Sequence, residues 1–410
     1  MAVRVIAALV LVVVGSALDV PIAIVLGVVT LMLEVVNAVW ARLGLRDVRY
    51  TRRLAGRRTP WGGEIPMTVE VWNRRRLPIA WLRADDEATA GVTVRERQLV
   101  DGTEPGIEVL RNAWTLRPWE RVVRRFHVGA DRRGVFMLGP VDLTMGDPFA
   151  RRVAFEQRPE TDTFLVWPRT VPTTEIEPPD RWGDLDRARR GLAEDPSRFA
   201  GVRPYAPGDS MRRLHARTSA RLGRPMTKRF EPSREREVLI ALDVQTIDGP
   251  AWEAGFGSDE VESLYVVAAS IVRSLEARHV AFGLLAAGYT GAETRFATVP
   301  VSSSPGQAQR ALDLLARLSS HASAPFERLL TMAARTVHPG TTVLVLTARD
   351  PRPFAGALRR LERLGAAVVI VACGRDAARE AARARAAGFT SRRAAMDAHW
   401  ESAERLVIAP

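Results

Sequence analysis

A carboxylate, a hydroxyl, an imidazole and a second hydroxyl follow one another at Asp209, Ser210, His215 and Ser219. These are the residue types from which a hydrolase assembles an orienting acid, a nucleophile and a base, so a hydrolase-like reaction through Asp209 and His215 is one reading of the segment. Neighbouring positions in a sequence are not triad geometry, however, and no Gly-x-Ser-x-Gly elbow surrounds either serine. His215 reads better as a packed or hydrogen-bonded side chain.

The same stretch is strongly basic. Pro207-Gly208 makes a turn, Asp209 is placed to cap a helix and Gly223 to end it, which predicts a helix from Ser210 to Leu222. Arg213, Arg217 and Arg221 then recur every four residues on one face, where like charges repel by a few tenths of a kcal/mol per pair unless an anion lies opposite. Candidates for that anion are the chain's own Glu231, Glu235 and Glu237, an acidic patch on a partner, or a lipid phosphate; a solvated face with internal ion pairs is the plainer alternative. Lys228, the chain's only lysine, lies just downstream. It belongs to no Gly-x-x-x-x-Gly-Lys-Ser/Thr loop, so nucleotide hydrolysis by a P-loop is excluded.

The elements that must position these residues emerge from the hydropathy pattern. Val5 to Leu18 and Val20 to Leu33 are charge-free apolar runs parted by Asp19. Arg4 precedes them and Arg42, Arg46, Arg49, Arg52 and Arg53 follow, a positive-inside bias that predicts a transmembrane hairpin in the inner membrane with both termini cytoplasmic. The arginines of residues 42–58 would face anionic lipid headgroups. Short alternating segments such as Pro66 to Trp72 and Arg121 to Val128, punctuated by glycine and proline, read as an antiparallel sandwich or small barrel. Beyond Glu235, strand and helix patterns alternate, which predicts a parallel sheet covered by helices. The resulting division is 1–41 hairpin, 42–170 β-rich domain, 171–198 linker, 199–235 basic segment and 236–410 α/β domain.

The chain has 410 residues, 47% hydrophobic and 26% charged, which excludes wholesale disorder. Its net charge of +12 suggests acidic partners or an anionic surface. Nucleic acid is disfavoured, because the basic segments lack interleaved aromatic platforms. A single cysteine, Cys373, rules out an intramolecular disulfide and any zinc-type cysteine cluster.

Gly201-Val-Arg203-Pro-Tyr205-Ala-Pro-Gly208-Asp209, followed by Arg212, Leu214-His215, Ser219-Ala-Arg221, Lys228 and Phe230-Glu231, resembles the signature of the domain of unknown function 58 family. Arg133-Gly134 to Gly139-Pro140 and Asp147-Pro148-Phe149 are similar to its other recurring elements. Ala216 departs from the family, which commonly carries tryptophan after the histidine. The resemblance implies a membrane hairpin, a β-rich region and a von Willebrand factor type A-like (Rossmann-like) domain, in that order. It further implies a MoxR-type AAA+ ATPase as partner, in assembling or activating an unidentified client protein.

Type A domains hold a divalent cation through Asp-x-Ser-x-Ser plus a distant Thr and Asp, since a hard ion needs several oxygen ligands. Here only Asp243 matches; Gln245 and Ile247 replace the serines, Thr246 is out of register, and Asp350 is the one further carboxylate within reach of that sheet end. The site reads as degenerate, with at most weak Mg²⁺ binding and no cofactor. The expectation is a non-enzymatic, membrane-anchored adaptor whose docking surface comprises Arg203, Tyr205, Gly208, Asp209, Arg212, Arg213, His215, Arg217, Ser219, Arg221 and Lys228. An anionic-lipid or nucleic-acid binding protein is the remaining alternative.

Overall fold

The computed structural model describes residues 2–43, 45–146, 153–173, 194–206, 211–232, 237–246, 258–291 and 296–410. The chain divides into two compact units, Met1–Val166 and Trp167–Pro410.

The first unit begins with two apolar helices, α1 (Ala2–Ala17) and α2 (Pro21–Leu43), turning at Asp19 with a positive φ of 54°. They pack closely because Gly15 lies against Ala23 and Ile24, and Gly27 against Ala8 and Val12. The expected membrane hairpin is corrected at this point: among the described residues, no helix is long and apolar enough to cross a membrane. The 16 residues of α1 rise only ~24 Å, against a hydrocarbon core of about 30 Å. In α2 the apolar run ends at the buried carboxylate of Glu34. The two-span inner-membrane localisation falls with it.

Among the described residues the strands that follow are β1 (Val48–Leu54), β2 (Arg58–Thr59), β3 (Ile65–Asn73), β4 (Ile79–Thr89), β5 (Val92–Val94), β6 (Val100–Asp101), β7 (Ile107–Leu116), β8 (Arg121–Ala130), β9 (Gly134–Gly146), β10 (Val153–Arg158) and β11 (Asp162–Val166). One sheet runs β1-β3-β8-β5; the other runs β2-β11-β9-β4-β7-β6, with β10 on β9. Alternation supplies the core: Ile65, Met67, Val69 and Val71 of β3 are buried while Thr68, Glu70 and Trp72 between and beside them are half-exposed. Asp86 of β4 is buried among these apolar residues. It is compensated by the Arg52 guanidinium and the Tyr50 hydroxyl of β1, both of which donate to it, while Arg52 Nε also reaches Asp162 at 2.9 Å. Burial nevertheless pushes the Asp86 carboxyl up, and the Tyr50 phenol with it.

In the second unit, among the described residues, β12 (Glu194–Pro204) pairs only with β13 (Met226–Pro232), forming an antiparallel ribbon. Between them lie a 3₁₀ turn (Met211–Arg213) and a short helix, α3 (Ala216–Leu222). The remainder is a seven-stranded sheet built from β14 (Glu237–Leu242), β15 (Ala281–Ala286), β16 (Ala297–Ser302), β17 (Thr342–Thr347), β18 (Ala367–Ala372), β19 (Thr390–Met396) and β20 (Leu406–Ala409). Its order is β16-β15-β14-β17-β18-β19-β20, the five central strands parallel and the two edges antiparallel.

Helices α4 (Ser258–Ala277), α5 (Gln307–Arg317), α6 (Phe326–Ala333), α7 (Ala355–Arg363) and α8 (Ala377–Ala386) cover it. Leu239, Ala241, Val343 and Val345 join Phe326, Leu329, Phe354 and Leu358 in one core. Strand alternation turns Val238, Ile240 and Leu242 to the opposite face, where α4 buries Val261, Leu264, Ala268, Ile271, Val272 and Leu275. The chain steps to one side of β14 to make β15 and to the other to make β17, so the carboxyl ends of β14 and β17 form the topological switch point of the sheet.

Candidate functional site

Two places gather the residues singled out above, the basic ribbon and the switch point. In the ribbon, Val202 faces Lys228, Arg203 faces Thr227 and Pro204 faces Met226. The predicted single helix is broken here, because Leu214 bridges to Thr227 and the His215 N–H donates to the Met226 carbonyl at 2.8 Å. Helix α3 therefore starts one residue later, and its N-cap is His215: Nδ1 accepts the Thr218 N–H at 3.2 Å. Asp209, expected as the cap, and Gly208 lie outside the described residues. Gly223 ends α3 with φ 63°.

Ser219 is equally occupied. Its hydroxyl donates to the His215 carbonyl at 3.0 Å and accepts the Met226 N–H at 2.8 Å. Imidazole and hydroxyl thus serve the backbone rather than each other, a cap and a clasp instead of a base and a nucleophile. The Phe199 ring lies 5.8 Å from the His215 ring.

The break separates the expected arginine row. Arg213 belongs to the 3₁₀ turn, while Arg217 and Arg221 remain four apart on α3. Arg217, Arg221 and Arg224 are exposed, and none forms an ion pair among the described residues. Lys228 is half-buried and likewise has no carboxylate partner there. Glu237, one of the suggested counter-ions, accepts from Thr341 Oγ1 at 3.2 Å and lies 4.0 Å from His338. Arg203 is exposed and donates to the Pro204 carbonyl at 3.3 Å; Tyr205 is half-buried, its N–H on the Pro225 carbonyl at 3.0 Å. The Arg212 side chain lies outside the described residues.

At the switch point, Asp243 is buried and its Oδ2 accepts from Arg349 Nε at 2.8 Å and from Thr347 Oγ1 at 3.0 Å. Arg349 Nη2 adds a 3.4 Å contact to Oδ1, and the guanidinium lies over the Phe354 ring at 5.3 Å. Burial pushes the Asp243 carboxyl up, and Arg349 and Thr347 pull it back. Asp350 takes no part. Its carboxylate accepts from Arg352 Nε at 2.8 Å, with Arg383 at 3.4 Å, and the hydrogen bonds and charge of Arg352 hold it below the usual carboxylate range. Thr246 is buried, and its hydroxyl has no hydrogen-bond partner among the described residues.

This donor set does not fit a divalent cation. The carboxylate that would bind one is held by a guanidinium, the second carboxylate is turned into a separate ion network, and glutamine and isoleucine stand where hydroxyl ligands are needed. Among the described residues no group of three or more His, Cys, Asp or Glu side chains could hold a metal ion. Sequence reasoning missed Arg349; its one signal was a charged residue just beyond the apolar run Val343 to Leu346. Cys373 is buried in the core at the end of β18, and burial pushes its thiol up to about 12.

The molecule is thus a β-sandwich unit followed by a Rossmann-like α/β unit whose entry segment is a basic ribbon and helix. Residues 201–361, spanning most of that ribbon, α3 and the sheet as far as α7, match the family described as protein of unknown function DUF58. The match spans residues 201–361, the region that holds the signature residues. The uncharacterized protein YeaD of Bacillus subtilis is 37% identical over 89 residues, which are 22% of this chain and only about a fifth, 20%, of that protein's length. Among solved structures, the CARDB domain of the PF1109 protein from Pyrococcus furiosus is 15% identical, covering 29% of this chain and 85% of that one with a TM-score of 0.19. Trypsin-activated alpha-2-macroglobulin from Escherichia coli is 15% identical over 41% of this chain and 9% of that one, with a TM-score of 0.22. Scores this low define no shared fold.

Proposed function

We propose that this protein is a non-enzymatic adaptor that docks an acidic surface of an AAA+ ATPase of MoxR type through the basic ribbon and α3, coupling that motor to a client protein. The observation that carries the reading is the set of exposed guanidiniums at Arg217, Arg221 and Arg224, which have no counter-ion among the described residues. Like charges kept close together on a short helix are stabilised when an anion arrives from outside. The side chains that could have formed a catalytic set support the same reading, since His215 and Ser219 are committed to backbone hydrogen bonds. The family resemblance supplies the kind of partner.

The test is Arg217→Glu/Arg221→Glu in the full chain, captured together with a MoxR-type AAA+ ATPase at low and high salt. Association weakened at least tenfold, with the thermal melt of the variant unchanged, is the expected result. Undiminished co-capture would overturn the proposal, and so would turnover of a small-molecule ester or amide that disappears in His215→Ala.

A further inference from the structure

The sandwich unit carries a second feature that the basic ribbon does not explain. At one end of it two loops meet on the side chain of Asn73, which is fully buried, and a third lies beside them. Its Nδ2 donates to the Leu77 carbonyl at 3.0 Å and the Arg117 carbonyl at 2.8 Å, its Oδ1 accepts the Arg75 N–H at 3.2 Å, and its own N–H donates to the Glu120 carbonyl at 2.8 Å. The third loop is tied in by the Arg74 N–H on the Asp47 carbonyl at 3.0 Å. The loops at residues 45–47, 73–77 and 117–120 therefore form one preorganised platform.

Its tip departs from ordinary turn chemistry. Arg117-Pro118-Trp119-Glu120 closes with the Glu120 N–H on the Arg117 carbonyl at 3.2 Å, and Trp119 has φ 61°. Proline followed by a positive φ is the pattern of a type II turn, whose third residue is normally glycine because a side chain there is strained. Here that position holds the largest side chain available, and it is 58% exposed. A strained backbone that projects an apolar ring into water serves neither packing nor the turn, and such strain is characteristic of binding sites.

The charge around the ring is one-sided. Arg46, Arg74, Arg76 and Arg117 are exposed, and none forms an ion pair among the described residues. The carboxylates on the same loops are otherwise engaged or outnumbered: Glu120 accepts the Arg117 N–H at 2.6 Å, and Asp47 lies near the buried Arg75. Arg74 stacks over Trp72 at 4.9 Å, which holds its guanidinium in place. Tryptophan and arginine on a rigid support are the residue types that dominate protein–protein hot spots.

We infer that this loop platform is a docking site for an acidic protein segment, with Trp119 as the apolar anchor and Arg74, Arg76 and Arg117 as the charged contacts. It uses none of the residues of the ribbon.

The probe is a labelled acidic peptide of glutamate and phenylalanine, titrated by anisotropy against the full chain carrying Arg217→Glu/Arg221→Glu, so that the ribbon contributes nothing. Binding is expected to persist in that background, to fall at least tenfold on adding Arg74→Glu/Arg117→Glu, and to fall similarly on adding Trp119→Gly. The glycine variant is also expected to melt at a higher temperature, since it relieves the positive-φ strain; a purely structural tryptophan would lower it. No peptide binding in the ribbon-reversed background would overturn the inference while leaving the ribbon proposal intact. Selective capture by phosphatidylglycerol vesicles, lost in Trp119→Gly, with no peptide binding, would overturn it in favour of a lipid surface.

Discussion

Arg349 and Asp243, 106 residues apart in sequence, meet at the switch point of the α/β sheet with Nε 2.8 Å from Oδ2, both side chains buried. The guanidinium offsets the charge of the Asp243 carboxylate at the carboxyl end of β14. Breaking a buried pair on one side leaves an uncompensated charge, which costs about 3–5 kcal/mol. Arg349→Met is therefore expected to lower the denaturation midpoint of the α/β unit strongly, and Asp243→Leu/Arg349→Met to recover most of the loss. Mg²⁺ added to the unaltered protein should leave the melting temperature where it is, because only a ligand bound by the folded state raises it.

Asp350 sets an acid limit on the same unit. Its carboxyl is held low by Arg352 first and Arg383 second, so its folded value lies below its unfolded one. The stabilisation is fully present above the unfolded value, ~3.9, and is lost as the pH falls through the depressed folded value. Asp350→Asn should lower stability at neutral pH and flatten the acid limb of the stability profile. Urea midpoints measured between neutrality and pH 3 check both, and parallel acid limbs would refute the assignment.

The cap on α3 gives a local prediction. His215→Ala removes the acceptor of the Thr218 N–H, and losing a cap costs about 1 kcal/mol. Hydrogen exchange at the Thr218 amide should accelerate about fivefold, while His215→Asn, whose side chain can accept the same bond, should restore protection. Global melting should move little, since none of the α3 side chains is buried.

Much of the second unit was legible residue by residue. The stripe from Val261 to Leu275 on α4 has helical spacing, Gly223 stands where α3 must turn left-handed, and Val343 to Leu346 is too apolar to be anything but a buried strand. The helix predicted over residues 210–222 was wrong at its start, because propensity and charge spacing cannot foresee that the Met226 carbonyl will capture the His215 N–H. The membrane hairpin was wrong for a related reason. Hydropathy registers apolar runs but not the helix that each run makes, and α1 stops at 16 residues.

What the sequence determined by itself is periodic or local: the order of strands and helices, the concentration of arginine around residues 212–229, and the loss of the hydroxyl ligands at Gln245 and Ile247. What only the tertiary structure decided is pairwise and distant: Arg349 on Asp243, Arg52 on Asp86, Asn73 gathering the loops beneath Trp119. The physical reason is that a buried charge or amide must find its partner wherever the fold brings one within about 3 Å. That distance is set by which strands lie side by side, not by how far apart their residues are along the chain.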